Sequence, residues 1–188
     1  DGISMSIGKG QYVLVCGANG SGKSTVACLL NGLIPHFFGG KLEGNVIIDG
    51  NNTRDTTVSE LFSRVGLVLQ NADAQLFNGT VEDELAFGLE SLGISPDRIS
   101  RKIQETSAAF RIGHLLDRAP EQLSGGEKRM VGMASICCLG PSVIVLDEPY
   151  ANLDGKSVSG VREGFKQLHR KGHNVVVVQQ RLEECLED

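Results

Sequence analysis

The chain has 188 residues, which one domain accounts for, because domains run about 100–200 residues. Its 18 Lys and Arg against 23 Asp and Glu leave a net charge of −5 with no basic run, which argues against a protein built to grip a nucleic-acid backbone. No apolar run approaches the ~18 residues of a membrane span, and the five cysteines, with no C-x-x-C or Cys/His cluster, read as reduced and mostly buried thiols.

In chain order, Ile3, Met5 and Ile7 alternate with Gly2, Ser4 and Ser6, a period of two that predicts a strand before the turn-like Gly8-Lys9-Gly10. Tyr12–Cys16 is a near-continuous apolar run of the kind found in strands covered on both faces. A helix is predicted over Lys23–Asn31, stopped by Gly32. Val46–Ile48, closed by Asp49-Gly50, reads as an outer hairpin strand, and Val65–Leu69 as a second buried strand.

Residues 71–140 hold no long buried strand and are predicted to form a mainly helical lobe inserted in an α/β core. Thr80 through Asp83 resembles a capping-box start for a helix running to about Ser91. Ser95-Pro96 supplies an N-cap and a proline at N1, with Ile99, Ile103 and Phe110 then at helical spacing. Ser124 and Glu127 form a capping box for a helix reaching Leu139. After the apolar run Val143–Leu146, the stripe Val158, Val161, Phe165 and Leu168 marks a helix over Ser157–Lys171 stopped by Gly172. Asp154 reads as its N-cap. Val175–Val178 is the last buried strand. Strands alternating with amphipathic helices predict an α/β fold around a mainly parallel sheet.

Each buried strand runs into polar residues: Gly17 to Lys23 after the first, Gln70 after the next, then Asp147-Glu148 and Gln179-Gln180. Ligands of open parallel sheets sit at the carboxyl ends of the strands, so one sheet edge is the predicted site. Gly17-Ala18-Asn19-Gly20-Ser21-Gly22-Lys23-Ser24 fits G-x-x-x-x-G-K-[ST] between a strand and a helix. Its backbone N–H groups and the helix start would cradle an anion. Lys23 would reach the β/γ-phosphates, and the Ser24 hydroxyl would ligate Mg²⁺. The nucleotide-binding set is Gly17, Asn19, Gly20, Ser21, Gly22, Lys23, Ser24 and Thr25. Asp147 would hold Mg²⁺ directly or through water, while Glu148 would orient or deprotonate the attacking water. Without the loop, Asp147-Glu148 would be an ordinary solvated strand end.

With Leu123-Ser124-Gly125-Gly126-Glu127, Gln70 and Asn152-Leu153-Asp154 added, the chain resembles the ATPase subunit of ABC transporters from about residue 8 to 184. The resemblance implies a P-loop core with outer antiparallel strands and a helical signature subdomain at 71–140, all within one domain over residues 1–188. It implies a head-to-tail dimer with a second ATPase subunit, identical or paralogous. Each composite site would take Lys23, Ser24, Gln70, Asp147 and Glu148 from one chain and Ser124, Gly125 and Gly126 from the other, with Asp154 at the seam. Gln70 would be both a Mg²⁺ ligand and a catalytic residue. Repair and chromosome-structure ATPases share the motifs, but they carry long insertions between P-loop and signature, which here lie only about a hundred residues apart.

The stretch Gln70–Phe77 through Thr80–Gly88, with Leu30–Gly40, is similar to the ATPases of energy-coupling factor importers, which take up vitamins or transition-metal ions such as cobalt. That implies a transmembrane transporter subunit as partner, a cytoplasmic location against the inner face of the membrane, and Phe77, Leu85 and Phe87 either in the core or in the groove for that subunit. Two positions depart from the family. Gln180 stands where a histidine usually contacts the γ-phosphate; an amide still donates a hydrogen bond but does not titrate near neutral pH. ATP binding is then expected to survive and hydrolysis to slow, which leaves open a weakly active or regulatory partner in a heterodimer. Tyr150 follows Asp-Glu-Pro, where the family commonly has threonine, and reads as peripheral to chemistry. The resemblance also makes the chain a trimmed core, with the adenine-stacking aromatic residue upstream of residue 1.

Overall fold

Every strand of the central sheet is apolar on both faces, and each face buries a different set of helices. The computed structural model describes residues 2–69, 76–151 and 153–180. Its main sheet contains β1 (Tyr12–Cys16), β4 (Val65–Val68), β5 (Val143–Asp147) and β6 (Asn174–Gln179), ordered β1-β6-β5-β4 with all pairs parallel. A separate antiparallel pair joins β2 (Ile47–Ile48) to β3 (Asn51–Asn52). Asp49 (φ 48) and Gly50 (φ 79) both take the left-handed conformation of a two-residue hairpin turn, as the Asp-Gly pair predicts.

Strand parity sorts the core. Val65, Leu67, Val143, Val145, Val176 and Val178 face one way, packing with Ala27, Cys28 and Leu30 of α1 (Lys23–Leu30). Val68, Ile144, Leu146, Val175 and Val177 face the other way. They pack with α4 (Val81–Ser91), α5 (Pro96–Ala109), α6 (Gly125–Cys138) and α7 (Gly155–Arg170). Alternate side chains on opposite faces are the geometry of a strand. Both faces being covered is what makes these strands read as unbroken aliphatic runs. Two shorter helices, α2 (Leu33–His36) and α3 (Val58–Arg64), complete the chain order between α1 and β4.

The helix ends follow the chemistry of the sequence. Gly32 (φ 79) and Gly172 (φ 93) sit just past α1 and α7 in the left-handed region. Thr80 accepts from the Asp83 N–H, and Asp154 accepts from the Ser157 N–H at 2.7 Å, so α7 begins two residues before its predicted start. Ser95 occupies the N-cap of α5 without a side-chain capping bond; Pro96 at N1 starts that helix.

One predicted strand does not form. Residues 2–7 join no ladder, and Ile3 is 69% exposed. Alternation specifies a strand only where a neighbour supplies hydrogen bonds and a surface to bury one face; β1 is the sheet edge on that side, and only Ile7 of the three packs on the core. Cys28, Cys137 and Cys138 are buried thiols, Cys16 is exposed, and Cys185 lies outside the described residues.

Candidate nucleotide site

The loop after β1 is shaped by residues that tolerate unusual backbone. Gly20 (φ 77) and Gly22 (φ 91) are left-handed, a conformation costing an L residue about 1–2 kcal/mol. A Cβ on Gly17 would lie 2.8 Å from the Ser21 hydroxyl. Gly22 is the N-cap of α1 and has no side chain to cap it. The first helical bond runs from the Val26 N–H to the Gly22 carbonyl. The N–H groups of Lys23, Ser24 and Thr25 therefore face out of the helix start, where the dipole is positive. Lys23 is buried, and its ammonium donates to the carbonyls of Gly17 (2.8 Å) and Ala18 (3.0 Å), folding its charge into the loop. Asn19, Ser21, Ser24 and Thr25 are exposed along the same turn.

Asp147 closes β5 and is 6% exposed. The Cys28 thiol of α1 is pushed up first by burial and then by the Asp147 charge. The carboxylate thus acts on the helix that follows the loop. Glu148 leaves the strand left-handed at φ 48. Its N–H donates to the Val178 carbonyl at 2.9 Å, and its carbonyl accepts from Arg129 Nη2 at 2.7 Å. Strand order brings in the third element. β6 lies between β1 and β5, with Gln179 opposite Cys16 and Val178 opposite Asp147. Gln180, exposed and one residue past the strand, therefore emerges between the glycine loop and the acidic pair.

Ser124, Gly125 and Gly126 sit elsewhere. Ser124 is the N-cap of α6 in a complete capping box: its hydroxyl accepts from the Glu127 N–H at 3.3 Å, and Glu127 accepts from the Ser124 N–H and hydroxyl at 2.8 Å. Those hydrogen bonds, the backbone one first, hold the Glu127 carboxyl below the ordinary carboxylate range. Ser124 and Gly125 are exposed. α1 packs on one face of the sheet and α6 on the other, so the two glycine-rich helix starts belong to different layers. Gln70 and Asn152 lie outside the described residues. Leu85 is core, whereas Phe77 and Phe87 are exposed and stack edge to face at 5.0 Å.

Residues 1–151 match the ABC transporter family. The chain belongs to that family. The ABC relatives include the energy-coupling factor transporter ATP-binding protein EcfA1 of Halalkalibacterium halodurans, 41% identical over 97% of this chain and 64% of the relative. A Pyrococcus horikoshii protein described as an ABC transporter ATP-binding protein is 44% identical over 94% of this chain and 62% of its own length. Among solved structures, cbiO1 from Clostridium perfringens, described as part of the ABC transporter complex cbiONQ, superposes with a TM-score of 0.83 at 28% identity. That match covers 96% of this chain and 71% of the other. The chain spans from about a third to just under two thirds of the curated relatives' length. These relatives are described as ATP-binding proteins of ABC transporters.

One contributor escapes the motif reading. Arg129, 5% exposed, holds the Glu148 carbonyl at 2.7 Å; the sequence shows it only as the second of two adjacent cations, Lys128-Arg129, before the pair Met130-Val131. Tyr150 is partly buried against the core with the Arg162 guanidinium 5.3 Å from its ring centre, so it ties the post-strand loop to α7.

Proposed function

We propose that the chain binds Mg²⁺–ATP at the edge formed by β1, β6 and β5, hydrolyses it with Glu148 orienting or deprotonating water, and drives a membrane importer of the energy-coupling factor type. The observation that carries this reading is the convergence at one sheet edge of the Lys23 loop, Asp147-Glu148 and Gln180, on three adjacent parallel strands. Gly20, Gly22 and the N–H groups of Lys23 to Thr25 would wrap the phosphates, with Asn19 and Ser21 on the same loop and Lys23 turning from the loop carbonyls to the β/γ-phosphates. Ser24 and Asp147, an all-oxygen donor set suited to a hard cation, would hold Mg²⁺ together with Gln70. When bound, that ion would draw charge from the phosphate oxygens.

The layer arrangement supports a head-to-tail dimer. The loop and Ser124–Gly126 lie on opposite faces of one chain's sheet, so a nucleotide between them would need a second copy or a paralogue. Residues 71–140 serve as the helical subdomain of the single ABC domain; α4, α5 and α6 supply it among the described residues. The exposed Phe77–Phe87 pair offers an apolar surface to a transmembrane subunit, which would keep the chain at the cytoplasmic face of the membrane. The cargo would be a vitamin or a transition-metal ion, the class that resemblance to energy-coupling factor ATPases implies.

Steady-state ATPase assays of the full-length protein, alone and with its membrane subunit, test this. Glu148→Gln should lower kcat by about 100-fold or more while ATP still binds. Wild-type activity equal to that variant would sink the enzyme reading. The exposed Gln180 favours a second reading, a weakly active or regulatory partner of a heterodimer, since its amide cannot titrate near neutral pH. Gln180→His should then raise turnover at least about tenfold. No gain at equal folding and nucleotide affinity would remove that reading's only support.

A further inference from the structure

We infer that Arg129 is a positioning residue that ties the start of α6 to the backbone of the catalytic glutamate in the same chain. This rests on the reading of Glu148 as the residue that activates water.

Helix α6 has two functional ends to its first turns. At the start Ser124 and Gly125 are exposed. Five residues on from Ser124, which is about 7.5 Å along the axis at 1.5 Å per residue, Arg129 is buried and its Nη2 donates to the Glu148 carbonyl at 2.7 Å. Met130, Val131, Met133 and Ala134 of the same helix are buried in the core that faces α4, α5 and α7. Close packing of that kind moves as a unit rather than residue by residue. A shift at the exposed end is therefore carried to the guanidinium.

The receiving end is a strained peptide. A glutamate at φ 48 persists only where its surroundings over-determine it. Here the Glu148 N–H is fixed to β6 through the Val178 carbonyl at 2.9 Å, and the carbonyl also accepts from the Ala151 N–H at 3.3 Å. The Arg129 bond is the shortest of these three, and it is charge-assisted, the stronger kind. It is the bond that crosses from the helical layer to the catalytic strand end. Contact between a nucleotide and Ser124–Gly126 would thus bear on the peptide from which the Glu148 carboxylate projects. The bond reaches the strand end and not the Lys23 loop, so its effect falls on turnover rather than on nucleotide affinity.

The test uses Arg129→Gln and Arg129→Lys in the full-length protein. Four quantities are read: kcat and KM for Mg²⁺–ATP, affinity for a fluorescent ATP analogue, Tm, and hydrogen exchange at the Glu148 and Ala151 amides. Arg129→Gln should lower kcat about tenfold or more with KM and analogue affinity within about twofold. Exchange at the two amides should rise about tenfold. Arg129→Lys, which keeps one cationic donor, should recover part of both effects, and it decides the matter alone if the glutamine variant does not fold. Unchanged exchange at the two amides overturns the inference, as does a kcat that falls only with the folded fraction. Should wild-type protein bind ATP without hydrolysing it, the ATPase reading fails by itself, and the exchange measurement still decides whether Arg129 holds the Glu148 peptide.

Discussion

The two glycine-rich helix starts of this chain are opposites in how they satisfy their own N–H groups. At α1 the N-cap is Gly22, which contributes no side chain, and the Lys23 ammonium is turned back onto loop carbonyls. At α6 the N-cap is Ser124, and with Glu127 it closes a complete capping box. Both starts carry the same dipole and are rich in the same residue. The first leaves its donors for a ligand, which suits a site that holds an anion tightly within one chain. The second is satisfied without any ligand and is exposed, which suits a surface that must stay folded until a partner brings the anion to it. On the proposed reading, helix-start chemistry would separate a resident phosphate site from one that a partner chain brings its phosphate to.

The largest expected effect lies on the uncapped start. Lys23→Ala removes the only side-chain cation of the loop, and hydrogen bonds from charged groups contribute about 1.5–3 kcal/mol each. Nucleotide affinity, measured with a fluorescent ATP analogue, should fall roughly 10- to 100-fold. Unchanged affinity would mean that α1 does not anchor phosphate, and the contrast between the two starts would collapse.

A matched pair of glycine substitutions sharpens it. Gly22→Ala forces an L residue to φ 91, at about 1–2 kcal/mol of strain, so it should lower both Tm and ATP affinity. Gly125→Ala meets nothing within 4 Å and needs no positive φ. It should leave folding and the affinity of the isolated chain alone, and reduce only hydrolysis at the proposed two-chain site. Equal loss of ATP affinity in both variants would place the two starts in one site and contradict the layer arrangement.

Much of this was legible beforehand because the deciding signals are local. A left-handed turn needs glycine at Gly20 and Gly22, a capping box needs Ser124 and Glu127 three apart, and a strand buried on both faces reads as Val143–Leu146 does. What escaped reading was non-local. Ile3, Met5 and Ile7 carry a strand's alternation, but nothing in those residues reports whether a neighbouring strand is there to pair with. Arg129 looks like one more polar residue of a helix until the fold places the Glu148 carbonyl 2.7 Å away. Which face of the sheet α1 and α6 occupy follows from chain connections, and no side-chain pattern in either helix records it.

The smallest expected effect tests the self-sufficiency of the α6 start by its pH dependence. Glu127 has a lowered carboxyl pKa in the folded chain, from the Ser124 hydrogen bonds. Its contribution is therefore fully present above the unfolded value near 4.5 and is lost as pH falls through the lower folded value. Glu127→Gln keeps an oxygen acceptor for the Ser124 N–H but has no charge to lose. Wild type should exceed the variant in folding free energy at neutral pH, by an amount within the ~0.5–2 kcal/mol range of N-cap effects, and the gap, followed by Tm, should close toward pH 4 and below. The Thr57–Glu60 box at α3 has the same pairing and the same lowered carboxyl, so Glu60→Gln is the control away from the site. If the Glu127 gap stays constant across that range, the charge plays no part in holding α6 closed. Its start would then depend on Ser124 alone, and Ser124→Ala should remove the whole capping effect at every pH.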